Sequence, residues 1–182
     1  MNSLELTKPV TTESLLSEFE SRFSQTMDLS KFTKEELEDL RELRRTLPKD
    51  YIIGRAPATR LLGIAELLVS ADVKRASGDL DEAIDLLARA TRIEDSLAYN
   101  EPPDWYFPTR HVLGATLIEA GYLDEAEEIY WQDLRKAPQN GYSLRGLLNV
   151  AEKKADPGFE GYKSKFDESW KRADIKLNSS RF

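Results

Sequence analysis

The sequence predicts an all-α protein in which pairs of helices follow an N-terminal helical extension. Two observations predict this fold. The pattern Gly-x-Leu-Asp-Glu-Ala occurs twice, starting at Gly78 and again 43 residues later at Gly121, and each copy separates two apolar runs. Elsewhere, apolar residues recur every three or four positions, which is the helical period, and no segment shows the alternation of a strand. We therefore expect at least six helices and no sheet.

The N-terminal extension, residues 1–55, is predicted to contain two amphipathic helices. The first, within residues 12–27, has one apolar face formed by Leu15, Leu16, Phe19, Phe23 and Met27. The second begins at a capping-box pattern, Thr33 with Glu36, and ends at Pro48. Its apolar stripe consists of Leu37, Leu40, Leu43 and Leu47. Two roles fit these stripes: they cap the helical pairs that follow, or they dock onto another protein.

The remaining residues, 56–182, are predicted to form the repeated helix pairs. Pro57 suits the first position of the first long helix. The glycine of each repeated pattern can end a helix in the left-handed conformation, and the acidic residues after it favour the start of the next helix. The alanines of the two patterns, Ala83 and Ala126, are small because two helices cross there. A C-terminal helix closes the stack with an apolar face opposite a lysine-rich one. That apolar face consists of Phe159, Tyr162, Phe166, Trp170 and Ala173.

These patterns resemble the tetratricopeptide (TPR) family, in which 34-residue units of two antiparallel helices stack into a right-handed superhelix. On this resemblance one unit starts near Ile64, a second near Phe107, and a degenerate third at Gly141. Positions typical of the family are filled in the second unit by Leu113, Gly114, Leu117, Ala126, Tyr130 and Pro138. The segment from Tyr99 onwards is also similar to the C-terminal repeats of larger microbial TPR proteins. The resemblance therefore implies a right-handed α-solenoid with two clear repeats and one degenerate repeat.

The connection between the first two units is about nine residues longer than a 34-residue repeat requires. It contains Asn100-Glu101-Pro102-Pro103 and is followed by Trp105, Tyr106 and Arg110. The aromatic residues could fill the joint that the longer connection creates, which is the interpretation we favour. Alternatively, Trp105 and Arg110 could form a cation–π platform for a ligand.

The residue types argue against an enzyme. The chain has no cysteine and a single histidine, His111, and it has no metal-ligand spacing and no phosphate-binding loop. His111 could act as a groove ligand or proton donor, although a partly exposed helical histidine with no such role is the commoner case. We therefore expect no catalytic residue, no cofactor and no metal.

A protein-binding role follows from the family resemblance, because the first helix of each unit faces a groove. The groove positions of the second unit are Pro108, His111, Ala115, Ile118 and Glu119. Those of the third unit are Tyr142, Arg145, Asn149, Glu152 and Lys153. Side chains such as His111, Tyr142, Arg145 and Asn149 can anchor an extended peptide, although Tyr142 and Arg145 could instead complete the packing between repeats.

The carboxylate clamp of chaperone-binding relatives is not expected here. That clamp uses lysine, arginine and asparagine. The equivalent residues in this sequence are Leu68, Asp72, Val112, Tyr142 and Gly146. Because Asp72 would repel a carboxylate, the groove is predicted to recognise some other chemistry.

Charge and hydropathy narrow the class of partner. Residues 57–138 carry a net charge of −8, which disfavours nucleic acid, whereas residues 139–182 carry +3. No apolar run is long enough to span a membrane, and no secretory signal is visible. We expect a non-secreted adaptor, cytoplasmic or in an organellar matrix or stroma, that binds a protein segment in its groove. The alternative is a fixed subunit or assembly factor of a larger complex, docked through its N-terminal helices and convex face.

Overall fold

The structure, a computed structural model, describes residues 34–181, and this part is mostly helical, as predicted. Its helices are α1 (Lys34–Thr46), α2 (Ala58–Ala76), α3 (Leu80–Asp95), α4 (Thr109–Ala120), α5 (Leu123–Lys136), α6 (Gly141–Lys154) and α7 (Phe159–Trp170). Two short strands, β1 (Ile52–Ile53) and β2 (Ala56–Pro57), lie between α1 and α2. Within residues 34–181, no helix is long and apolar enough to cross a membrane.

Helix α1 is the second predicted helix of the N-terminal extension. Its four stripe leucines are buried and belong to the main hydrophobic core, and α1 packs on α2. Glu66 of α2 accepts hydrogen bonds from Arg41 (3.2 Å) and Arg44 (2.7 Å) at this contact. The other predicted helix, within residues 12–27, and the Thr33 cap lie outside the described residues.

The expectation of no sheet is wrong at residues 52–57. Ile53 pairs with Ala56 in an antiparallel ladder, and Gly54 has a φ of +61°, a conformation that glycine allows at the first position of a two-residue hairpin loop. The backbone N–H of Arg55 also donates to the carboxylate of Asp104, 3.2 Å away in the long connection. Pro57 ends β2 and occupies the position just before α2, which begins one residue later than predicted.

The two Gly-x-Leu-Asp-Glu-Ala copies form equivalent turns between helices, which confirms the prediction. Gly78 and Gly121 have φ values of +83° and +87°, the left-handed conformation that ends a helix. Ala83 and Ala126 are 0 % exposed. The same six-residue pattern therefore ends one helix and starts the next at both places.

Each helix from α1 to α7 packs on the next one along the chain, and α4 also packs on α6. The ring of Tyr130, on α5, lies between these two helices. A Cβ atom added at Gly114 of α4 would lie 2.6 Å from Tyr130 Cε1, and one added at Gly146 of α6 would lie 2.5 Å from Tyr130 Cε2. Two glycines therefore admit the ring, which fixes the distance between α4 and α6. The handedness of the stack and its assignment to the TPR family stay predictions.

Candidate protein-binding face

Helices α2, α4 and α6 share a face that the end of the chain covers. Residues 171–181, which we call the C-terminal segment, contain neither helix nor strand. They contact Asn149 on α6, His111 on α4 and Asp72 on α2. We call the covered side of these three helices the inner face. These three helices are the first helices of the three predicted repeats.

The segment is first held beside α7 and α6. Trp170 Nε1 donates a hydrogen bond to the carbonyl of Ile175 (2.9 Å), and Leu177 is buried in the core. Asn149 Nδ2 then donates to the carbonyl of Asn178 (3.0 Å). A side-chain amide that binds a main-chain carbonyl is the contact expected of a peptide anchor, because it recognises backbone and not sequence.

Ser180 fills a small polar site at the centre of the inner face and is only 1 % exposed. Its Oγ donates to the main-chain carbonyl of His111 (2.8 Å). Because that bond uses the only hydroxyl hydrogen of Ser180, the Tyr130 hydroxyl donates to Ser180 Oγ (2.6 Å). Burial raises the pKa of Tyr130, so its hydroxyl stays protonated as a donor. The site therefore matches a small side chain that both donates and accepts.

Asp72 provides a buried acidic site next to Ser180. Its Oδ1 accepts from Arg181 Nη2 (2.7 Å) and from Arg75 Nε (3.3 Å), and its side chain is 6 % exposed. Arg75 also contacts Glu119 of α4 at 3.4 Å. Among the described residues, Asp72 Oδ2 and Arg181 Nη1 are buried without a hydrogen-bond partner. This end of the inner face accepts a guanidinium, which agrees with the expectation that Asp72 disfavours a carboxylate.

The expectation that the His111 side chain is partly exposed is wrong, because it is 1 % exposed. The imidazole stacks on Tyr142, with ring centroids 5.4 Å apart, and its Nε2 lies 3.2 Å from Asp133 Oδ2. Ser143 Oγ donates to the same oxygen (2.7 Å). Burial alone would raise the pKa of Asp133, but hydrogen bonds from His111 and Ser143 hold that pKa below its usual value. The serine hydroxyl thus binds the carboxylate and not the imidazole, and Asp133 joins side chains of α4, α5 and α6.

The residues after the long connection are mostly buried. Trp105 lies in the core, whereas Tyr106 is 56 % exposed. Both terminal nitrogens of Arg110 donate to the Asp95 carboxylate at 2.7 Å, and Lys136 reaches the same group at 2.6 Å. The hydrogen bond from Arg110 is the main reason why the pKa of Asp95 falls to about 2. This placement fits the interpretation that Trp105 fills the joint, and Arg110 is held in an ion pair.

Tyr142 and Arg145 take part in packing against α7. The Tyr142 ring lies 5.5 Å from that of Trp170, edge to face, and the Arg145 guanidinium lies 5.7 Å above the ring of Phe166. Two of the predicted site residues contact the C-terminal segment through hydrogen bonds. Asn149 does so with its side chain and His111 with its main-chain carbonyl.

Sequence reasoning did not identify Tyr130, Asp72 or Ser180 as site residues. A signal existed for Asp72, because it occupies in the first predicted unit the groove position that Asn149 occupies in the third. Ser180 carried no such signal, since it lies beyond the last periodic helix.

Within the described residues, no group of histidine, aspartate and glutamate side chains is arranged to hold a metal ion. The inner face described above contacts the C-terminal segment of the same chain. Comparison of the sequence with protein-family models and with curated proteins gives no match.

Proposed function

We propose that this protein is a non-catalytic interaction module, built from TPR-like helix pairs, that binds an extended protein segment on its inner face. The observation that carries the proposal is the C-terminal segment itself. A stretch of chain without helix or strand lies on three helices, and polar groups from each of the three contact it.

The inner face offers the contacts that a bound segment needs. Asn149 binds a main-chain carbonyl, the site between Tyr130 and the His111 carbonyl binds a hydroxyl, and Asp72 binds a cation. These groups lie on packed helices or are fixed by the Gly114–Tyr130–Gly146 contact. Groups that are already in place lose little conformational entropy when a ligand binds, which favours affinity.

Selection of binders from a phage-displayed library of random peptides tests this proposal. We expect selected peptides to bind with micromolar dissociation constants and to lose about two- to tenfold in affinity with Asn149→Ala, because one hydrogen bond contributes roughly 0.5–1.5 kcal/mol. Gln139→Ala, at an exposed position between α5 and α6, is the matched control and should bind as the wild type does. Peptides that bind Asn149→Ala and the wild type equally would place the binding site elsewhere and refute the proposal.

A second candidate function is a fixed subunit of a larger complex. It is favoured by exposed apolar side chains on the hairpin and the long connection, namely Tyr51, Ile52, Tyr99 and Tyr106. Arg55 joins these two regions through a hydrogen bond from Nη1 to the carbonyl of Tyr99 (3.4 Å). For this function, the double variant Tyr99→Ser/Tyr106→Ser should abolish co-purification of partner subunits, whereas Asn149→Ala should not. The opposite pattern would exclude it.

A further inference from the structure

We propose that the inner face recognises a small hydroxyl residue followed by arginine, and that residues 177–181 occupy this site in cis until a partner segment with the same pair displaces them. This inference rests on the proposed function and adds to it the chemistry of the partner. It also makes the C-terminal segment an internal competitor.

The hydroxyl preference follows from the site that holds Ser180. One neighbour, the His111 carbonyl, can only accept a hydrogen bond, and the other, Tyr130, has its hydroxyl hydrogen free to donate. A side chain without a hydroxyl would leave the Tyr130 hydroxyl buried without its acceptor, which costs binding free energy. A carboxylate would place negative charge against the carbonyl oxygen. The site therefore discriminates by chemistry as well as by size.

The preference for arginine follows from Asp72. Its carboxylate is almost fully buried, and a cation at this position compensates for the loss of hydration. Arg75 Nε already donates to Asp72 Oδ1, the oxygen that Arg181 contacts. Asp72 Oδ2, however, remains without a hydrogen-bond partner among the described residues. A guanidinium that approached with both of its terminal nitrogens could bind both carboxylate oxygens.

The contact between Arg181 and Asp72 of the same chain is incomplete, so another segment can compete for Asp72. Arg181 reaches Asp72 with Nη2 alone, while its Nη1 is buried without a hydrogen-bond partner in the described part of the chain. Residues 171–176, which lead to the site, are exposed. The segment can therefore leave the inner face without unfolding a helix, and a partner free of the tether can form the two-oxygen contact. A tethered segment acts as a competitor at an effective concentration of roughly millimolar, so that weak contacts are enough to hold it.

The test uses the full chain and a fluorescein-labelled peptide of residues 174–182, with affinity measured by fluorescence anisotropy. Ser180→Asp in the protein should expel its own segment and leave Tyr130, Asp72 and the His111 carbonyl unchanged. We expect this variant to bind the labelled peptide at least tenfold more tightly than the wild type. Ser164→Asp adds the same charge at an exposed position of α7, outside the C-terminal segment, and should bind as the wild type does.

Recognition of arginine is tested with a second labelled peptide in which the residue equivalent to Arg181 is glutamine. On the Ser180→Asp protein this peptide should bind at least tenfold more weakly than the native peptide. On Ser180→Asp/Asp72→Asn the two peptides should bind alike, because the carboxylate that distinguishes them is absent.

Two results would overturn the inference. One is equal affinity of the native peptide for the wild type and Ser180→Asp, with unchanged circular dichroism spectra. The other is equal affinity of both peptides for Ser180→Asp. If binding of the phage-selected peptides still depends on Asn149 in either case, the proposed function stands and only this inference fails. Should Ser180→Asp not fold, Arg181→Ala must raise the affinity for the labelled peptide at least threefold, or the inference is wrong.

Discussion

Gly146→Ala should destabilise the protein although alanine is the better helix former. The added Cβ would lie 2.5 Å from Tyr130 Cε2, whereas unstrained carbon–carbon contacts are about 3.5–4.0 Å. A Cβ atom added at Gly114 of α4 would lie nearly as close to the same ring, so a shift of the ring away from α6 brings it against α4. Relief of the overlap requires α4 and α6 to separate.

The expected magnitude combines two opposing effects. Overpacking of a core costs about 1–3 kcal/mol, and replacing a helical glycine by alanine gains up to about 1 kcal/mol. Because the overlap at Gly146 is well below 3.0 Å, we take the upper part of the first range, about 2–3 kcal/mol, and expect a net loss of about 1–2 kcal/mol for Gly146→Ala. Gly161→Ala on α7 is the matched control, since no atom lies within 4 Å of its added Cβ, and it should gain about 0.5–1 kcal/mol.

Thermal unfolding followed by far-ultraviolet circular dichroism measures both effects. At this chain length, 1 kcal/mol corresponds to a shift in Tm of about 2–4 °C, so the two variants should shift Tm in opposite directions. Equal stabilisation by both alanines would refute the reasoning, because it would show that Tyr130 does not lie between two closely packed helices.

Three further predictions concern the helix crossing, an ion pair and the polar site. Ala126→Leu should lower the unfolding free energy by about 1–3 kcal/mol through overpacking; an unchanged thermal melt would show that this residue is not at a close crossing. Since the hydrogen bond from Arg110 lowers the pKa of Asp95 from 3.8 to about 2, stability that is present above pH 4 should be lost between about pH 4 and pH 2. The Arg110–Asp95 pair is partly exposed, so this loss of stability is about 1 kcal/mol. Asp95→Asn should flatten that part of the acid-unfolding curve, and parallel curves for the variant and the wild type would contradict this prediction. Tyr130→Phe should cost about 0.5–1.5 kcal/mol in urea unfolding, because Ser180 Oγ loses its donor; an unchanged midpoint would exclude that hydrogen bond.

The repeated turns and the buried stripe of α1 could be predicted from the sequence because both are local patterns. The pattern Gly-x-Leu-Asp-Glu-Ala specifies a helix end, a helix start and a crossing within six residues. A leucine at every third or fourth position specifies a buried face in the same way, as at Leu37, Leu40, Leu43 and Leu47.

The hairpin and the burial of His111 could not be predicted in this way. Two residues per strand are too few for a detectable alternation, and the contact between Arg55 and Asp104 joins residues 49 positions apart. Helical periodicity shows which residues share a face of α4, but it does not show that Tyr142 of the next unit covers His111.

The inner face depends on contacts that are distant in sequence. Ser180 meets His111 across 69 positions, and Arg181 meets Asp72 across 109. Neither contact has a local pattern, because a segment without helix or strand takes its position from the surface beneath it. For this reason the position of the C-terminal segment, and the contacts that Asp72 and Tyr130 make with it, were not predicted. That a partner binds in the groove stays a prediction.

The most direct test of the central claim is photo-crosslinking of a display-selected peptide that carries a benzophenone side chain, with the crosslinked residues identified by mass spectrometry. If the inner face is the binding site, crosslinks should fall on α2, α4 and α6, near Arg75, Glu119 and Asn149, and an excess of unlabelled peptide should remove them. Crosslinks confined to α1 or α3, or unchanged by the unlabelled peptide, would contradict the account.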